Sequence, residues 1–117
     1  MENVISLNLS GLQISVLLRP EIGQLRSLKM LDLNANNFSG LISAELFNCG
    51  LFEYLDLTAN GFTGDVLGKL ANLRKLGFLS LFDNSLSGKI AESLFQLSRL
   101  NTIYLYSNGF TGLSRRM

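Results

Sequence analysis

The hydrophobic positions of this chain fall in a frame that returns every 24 residues. Leu55-Asp56-Leu57-Thr58-Ala59-Asn60-Gly61-Phe62-Thr63-Gly64 is matched by Leu31-Asp32-Leu33-Asn34-Ala35-Asn36-Asn37-Phe38-Ser39-Gly40 one period earlier. Later copies read Leu79-Ser80-Leu81-Phe82-Asp83-Asn84-Ser85-Leu86-Ser87-Gly88 and Ile103-Tyr104-Leu105-Tyr106-Ser107-Asn108-Gly109-Phe110-Thr111-Gly112. A worn first copy opens at Leu7-Asn8-Leu9-Ser10, so the frame starts at 7, 31, 55, 79 and 103 without slippage. Such a period marks a repeat architecture, in which each unit buries its apolar face only against its neighbours. The units run over 4–28, 29–52, 53–76 and 77–100, with a half-repeat at 101–112 and a tail at 113–117, all in one domain of 117 residues.

Each unit alternates two periodicities. Lys29-Met30-Leu31-Asp32-Leu33-Asn34 alternates apolar and polar, which predicts a short strand with Leu31 and Leu33 turned inward. Pro20-Glu21-Ile22-Gly23-Gln24-Leu25-Arg26-Ser27-Leu28 places Ile22, Leu25 and Leu28 three apart, which predicts a short helical or 3₁₀ return. Leu46/Cys49/Phe52, Leu70/Leu73/Leu76 and Leu94/Leu97/Leu100 repeat that stripe. Cys49 takes the slot held by Leu25, Leu73 and Leu97, and reads as a small buried hydrophobe rather than a reactive thiol. One strand per unit, stacked in register, gives a parallel sheet on one side and short returns on the other: an α/β solenoid.

Three further columns serve the turns. Asn36, Asn60, Asn84 and Asn108 stand where each strand must leave the sheet, and a buried amide there both donates to and accepts from the turning backbone. Phe38, Phe62, Leu86 and Phe110 continue Ile14 as a core column. Gly40, Gly64, Gly88 and Gly112 recur where a tight bend needs positive φ or close approach between coils.

Composition narrows the function. Leucine supplies 26 of 117 residues, while the formal charge of +1 gives no bulk attraction to nucleic acid. No apolar run is long enough for a membrane segment, and Met1-Glu2-Asn3-Val4 lacks the basic and apolar regions of a signal peptide. One cysteine allows no internal disulfide. There is no histidine, no cysteine cluster for a metal and no phosphate-binding G-x-x-x-x-G-K-[ST] loop. Asp32 and Asp56, one unit apart, invite a paired-carboxylate reading. A charged column on a solvated ladder accounts for them more simply, so no catalysis, metal or cofactor is expected. Asn8-Leu9-Ser10 and Asn37-Phe38-Ser39 are sequons that permit N-glycosylation of Asn8 and Asn37 in a secreted chain.

The strand positions that point away from the core carry the candidate site. They include Ser6, Asn8 and Ser10, Met30 and Asn34, Thr58, Ser80 and Thr102. Among them Tyr54, Phe78, Phe82, Tyr104 and Tyr106 cluster towards the C-terminal half, flanked by Asp32, Asp56 and Asp83. Exposed aromatics beside polar groups bring large contact area at low entropic cost. They point to a peptide- or protein-binding face with a preference for basic groups. Cross-strand stacking that merely stabilises the sheet is the competing account.

The frame L-x-x-L-x-L-x-x-N-x-F/L-S/T-G-x-I/V, closed by x-x-x-L-x-x-L-x-x-L, resembles the plant-type 24-residue leucine-rich repeat over residues 4–112. The resemblance implies a right-handed superhelix with a concave parallel sheet, as in the ectodomains of plant receptor-like kinases and receptor-like proteins. Pro20-Glu21-Ile22-Gly23, Asn48-Cys49 and Phe52-Glu53-Tyr54-Leu55-Asp56-Leu57 are similar to the first repeats of peptide-perceiving receptor kinases of the danger-peptide class. It further implies a peptide or protein ligand, a co-receptor as partner, and a location outside the plasma membrane or in the apoplast. A secreted inhibitor of a cell-wall polygalacturonase and a truncated, non-functional product remain alternatives. The family's proline slots hold Arg19, Ser43, Leu67 and Ala91, which is expected to loosen the returns, with Leu67 exposing apolar surface. No closing helix follows the half-repeat, so that end is expected to be an open pairing surface.

Overall fold

The computed structural model describes residues 4–48, 50–90 and 92–112. Cys49, the slot residue Ala91 and the tail at 113–117 lie outside them. Alternation in the Leu-x-Leu segments produces strands β1 (Ser6–Asn8), β2 (Met30–Asp32), β4 (Tyr54–Asp56), β6 (Phe78–Ser80) and β8 (Thr102–Tyr104). These pair in parallel in the order β1-β2-β4-β6-β8. Leu7 faces Leu31, Leu31 faces Leu55, Leu55 faces Leu79, and Leu79 faces Ile103. The unslipped 24-residue frame is therefore the sheet register itself.

A second sheet corrects the expectation of one strand per unit. Strands β3 (Ser39–Leu41), β5 (Gly61–Asp65), β7 (Ser85–Lys89) and β9 (Gly109–Thr111) form a four-stranded parallel sheet in that order. Its pairs, such as Ser39 with Gly61 and Ser87 with Gly109, lie 22 residues apart rather than 24. An even shift keeps every side chain on its own face. The coils therefore stack in register at the first sheet and are sheared by two residues at the second. Gly40, Gly64 and Gly88 lie within these strands and Gly112 just past β9, all at positive φ, from 76° at Gly40 to 112° at Gly88. A Cβ on Gly88 would lie 2.5 Å from the Asp65 carboxylate, so both the backbone conformation and the close approach require glycine.

The returns are short, as the three-residue spacing predicts. Pro20–Gln24, Ala44–Asn48 and Glu92–Gln96 are 3₁₀ turns, and Leu67–Leu70 is a single turn of α-helix, α1. Leu67 corrects a second expectation: it is only 4% exposed, at the first position of α1. Its N–H donates to Asp65 Oδ1 at 3.2 Å, a bond that proline in this slot would lack.

The core is a stack of leucines between the two sheets and the returns. Leu31, Leu55, Leu57, Leu79 and Leu81 are fully buried, as are Phe52 and Phe62. Leu7 and Leu9 in the first coil are half-buried and pack against that cluster from one end. Phe38 and Phe62 stack with centroids 5.8 Å apart, so the phenylalanine column is core.

The asparagine ladder ties coil to coil. Asn60 Nδ2 donates to the carbonyls of Leu33 (2.9 Å), Leu57 (3.2 Å) and Thr58 (3.1 Å), and its Oδ1 accepts from the Phe38 N–H at 3.1 Å. Asn36, Asn84 and Asn108 repeat the pattern, each reaching a carbonyl in the preceding coil at 2.7–2.9 Å. Just before each of them the backbone turns left-handed, at Ala35, Ala59, Asp83 and Ser107, with φ between 57° and 61°. Gly11 starts this column with φ 66°.

Candidate functional site

Strand alternation leaves three columns on the outer face of the first sheet. Ser6, Met30, Tyr54, Phe78 and Thr102 form one, and Asn8, Asp32, Asp56, Ser80 and Tyr104 form the next. Asn34, Thr58, Phe82 and Tyr106 continue the chain beyond the strands, where the ladder persists through Leu57 N–H to Ser80 O (2.9 Å) and Leu81 N–H to Tyr104 O (2.8 Å).

The aromatics meet as the sequence predicts. Tyr54 and Phe78 stack at 4.3 Å with their planes 8° apart. Phe78 meets Tyr104 edge-on at 6.1 Å, and Phe82 meets Tyr106 tilted at 4.8 Å. Each pair joins neighbouring coils, so packing across the sheet holds the rings in place. They are nonetheless not all covered: Tyr104 is 44% and Tyr106 60% exposed.

The carboxylates play different parts. Asp56 is 7% exposed, and its Oδ1 accepts the Thr58 N–H at 2.9 Å. Asp32 accepts the Asn34 N–H in the same way at 2.9 Å, and Asn8 accepts that of Ser10 at 3.0 Å. This column thus closes each strand end with a local side-chain bond, so Asp32 and Asp56 are more than a solvated charge ladder. Asp83 is exposed, in the left-handed turn beyond β6. Burial above all, then the charges of Asp56 and Asp32, pushes the Tyr54 phenol above its ordinary value.

Asp56, Phe78, Phe82, Tyr104 and Tyr106 come together around a shallow hollow of about 250 Å³, completed by Thr58 and Ser80. Tyr54, Asp32 and Asp83 lie on the same face or its margin but do not line the hollow. Thr58 and Ser80 were legible as outward positions without a role. Their hydroxyls bond to each other, and Ser80 is 3% exposed. The signal for Ser80 is its size, since it is the one short side chain between Asp56 and Tyr104 in its column. Asn8 is exposed within that column, whereas Asn37 is exposed away from the face, its N–H donating to Ile14 O at 2.7 Å. Among the described residues no group of His, Cys, Asp and Glu side chains could hold a metal, and no helix is long and apolar enough to cross a membrane.

Residues 27–49 match the Leucine Rich Repeat family. Among solved structures, the chain is similar to the ectodomain of the receptor kinase SOBIR1 from Arabidopsis thaliana, with 33% identity and a TM-score of 0.85 over 91% of this chain and 59% of that one. It is similar to the HAESA ectodomain from Arabidopsis, solved with an IDA peptide hormone, with 32% identity and a TM-score of 0.87 over 92% of this chain and 18% of that one. PEPR1 in PEPR1–AtPEP1 matches with 33% identity and a TM-score of 0.88, over 95% of this chain and 16% of that one. No curated protein sequence matches the chain. The chain spans less than two thirds of the length of each of these solved structures.

Proposed function

We propose, from the premise that this chain is a leucine-rich-repeat solenoid of the plant receptor-ectodomain type, that its first sheet binds a peptide through the aromatic columns. The observation that carries the reading is the hollow that Phe78, Phe82, Tyr104 and Tyr106 line on the outer face together with Asp56, Thr58 and Ser80. Aromatic rings gathered around a hollow beside a carboxylate offer the contact area and polar handle that recognition surfaces use. The peptide hormone in the HAESA complex adds weight, since that ectodomain shares this fold over most of the present chain.

On this reading the chain acts by binding and performs no catalysis. It works outside the cell as a segment of a receptor surface, where a co-receptor can join the bound ligand. N-glycosylation at Asn37 leaves the peptide face open, while a glycan on Asn8 would crowd its N-terminal end.

The test uses peptides selected from a random displayed library on the intact chain. Tyr104→Ser combined with Tyr106→Ser removes exposed rings and so should spare the circular dichroism while weakening capture at least tenfold, about 1.4 kcal/mol. Undiminished capture by that double variant would reject the reading.

A further inference from the structure

We propose that the hollow over Ser80 is a subsite for one arginine side chain of the bound peptide, an inference that rests on the peptide-binding reading above. The hollow exists because a short residue interrupts a column of larger ones. Phe78 and Phe82 stand at either end of it on the same coil, Tyr104 and Tyr106 bound it on the next coil, and Asp56 and Thr58 bound it on the preceding one. Its volume of about 250 Å³ lies below the roughly 300–1,000 Å³ of small-molecule pockets and suits a single side chain.

The chemistry of the lining selects among side chains. An apolar group would seal the Asp56 carboxylate from water with no new partner, which is costly. An acidic group would be repelled. A cation is favoured twice, by the carboxylate and by the aromatic rings that line the hollow. Between the two basic side chains, the planar guanidinium stacks on rings while its fork of N–H groups reaches a carboxylate and the Thr58 and Ser80 hydroxyls, whereas an ammonium offers a compact charge. Asp56 keeps acceptor capacity for this, since the Thr58 N–H occupies only one lone pair of Oδ1. None of the outward positions on the five strands of the first sheet carries Lys or Arg, so the face supplies no cation of its own. Burial first, and then the charges of Asp56 and Asp32, pushes the Tyr54 phenol up, so these carboxylates already act on a neighbouring group of this face.

The experiment pans a random dodecapeptide phage library on the intact chain and measures the enriched peptides against Asp56→Asn and Ser80→Leu. Asn8 already closes its turn as Asp56 does, so Asp56→Asn keeps the Thr58 bond and the fold while removing the charge. Ser80→Leu fills the hollow. The expected result is enrichment of one arginine, whose replacement by citrulline or lysine weakens binding at least tenfold. Asp56→Asn should then abolish the preference for arginine over citrulline. Peptides that need Tyr104 and Tyr106 but carry no arginine, that accept lysine equally, or that bind Asp56→Asn unchanged would overturn the subsite while leaving peptide binding intact. Enrichment of no peptide at all would overturn both.

Discussion

The side-chain Nδ2 of Asn84 donates to the carbonyl of Leu57, one coil back, at 2.8 Å. The same group reaches Leu81 O at 3.2 Å and Phe82 O at 3.4 Å, and Oδ1 accepts the Phe62 N–H at 3.1 Å. Removing the amide leaves several turning backbone groups unpaired, each worth about 1–3 kcal/mol when buried. Asn84→Ala should therefore cost at least about 3 kcal/mol, a large share of the roughly 5–15 kcal/mol of a small domain. Asn84→Asp should be worse, because a carboxylate would face carbonyls. Asn108→Ala, in the last described coil, should be milder. Urea unfolding followed by circular dichroism orders the three, and an unchanged midpoint for Asn84→Ala would contradict the ladder's role.

Ala59 holds a φ of 57°, a conformation that costs a residue with a Cβ about 1–2 kcal/mol. Ala59→Gly should raise Tm by a few degrees, roughly 1 kcal/mol after the extra entropy of the unfolded glycine is subtracted. Gly88→Ala should do the reverse, since φ is 112° and the new Cβ meets Asp65. Thermal melts that move both variants the same way would refute this account.

The proline slot at Leu67 tests whether the family pattern or the local packing decides stability. Proline is sterically welcome at the first position of a helix. Here it would replace a buried leucine and delete the N–H bond to Asp65 Oδ1. Leu67→Pro should lose about 2–4 kcal/mol through the vacated core site, while the exposed Asp65 carboxylate turns to water. A rise in the denaturation midpoint would show that restriction of the unfolded chain outweighs packing at this site.

Tyr54 sets an alkaline limit. Its pKa is raised in the fold, so the unfolded chain loses that proton first. Stability from this group is complete below the ordinary tyrosine value near 10 and falls as pH rises through the folded value. Tyr54→Phe should flatten the decline of stability above pH about 10 and leave neutral pH unaffected. Equal slopes in the two proteins would rule out the coupling.

The period, the paired leucines and the asparagine ladder were legible because each rests on a column of like residues at fixed spacing. The second sheet was not. Segments such as Gly61-Phe62-Thr63-Gly64 read as turns, since glycine weakens isolated strands. In the fold side chains of the preceding coil, Leu41 at Gly64 and Asp65 at Gly88, come close enough to demand glycine inside the strand, a condition invisible within one repeat. The left-handed column was hidden for a similar reason. Ala35, Ala59 and Ser107 have no taste for positive φ, and the asparagine that follows each of them holds the turn through bonds to neighbouring coils. At the site, alternation revealed which side chains point outward but not how deeply each one sits. Asp56 and Ser80 are buried because the aromatics around them are tall.

The hollow draws its parts from three successive coils, with Asp56 on one, Ser80 on the next and Tyr104 on the third. A stack held by nearest-neighbour contacts frays from its ends, and the recognition geometry dissolves as soon as one of those layers lifts away. Occupancy and layer docking are then a single equilibrium. A bound peptide acts as a rivet through the layers, and its grip would be read as slowed amide exchange at Leu81, whose N–H bonds to Tyr104 O of the following coil at 2.8 Å.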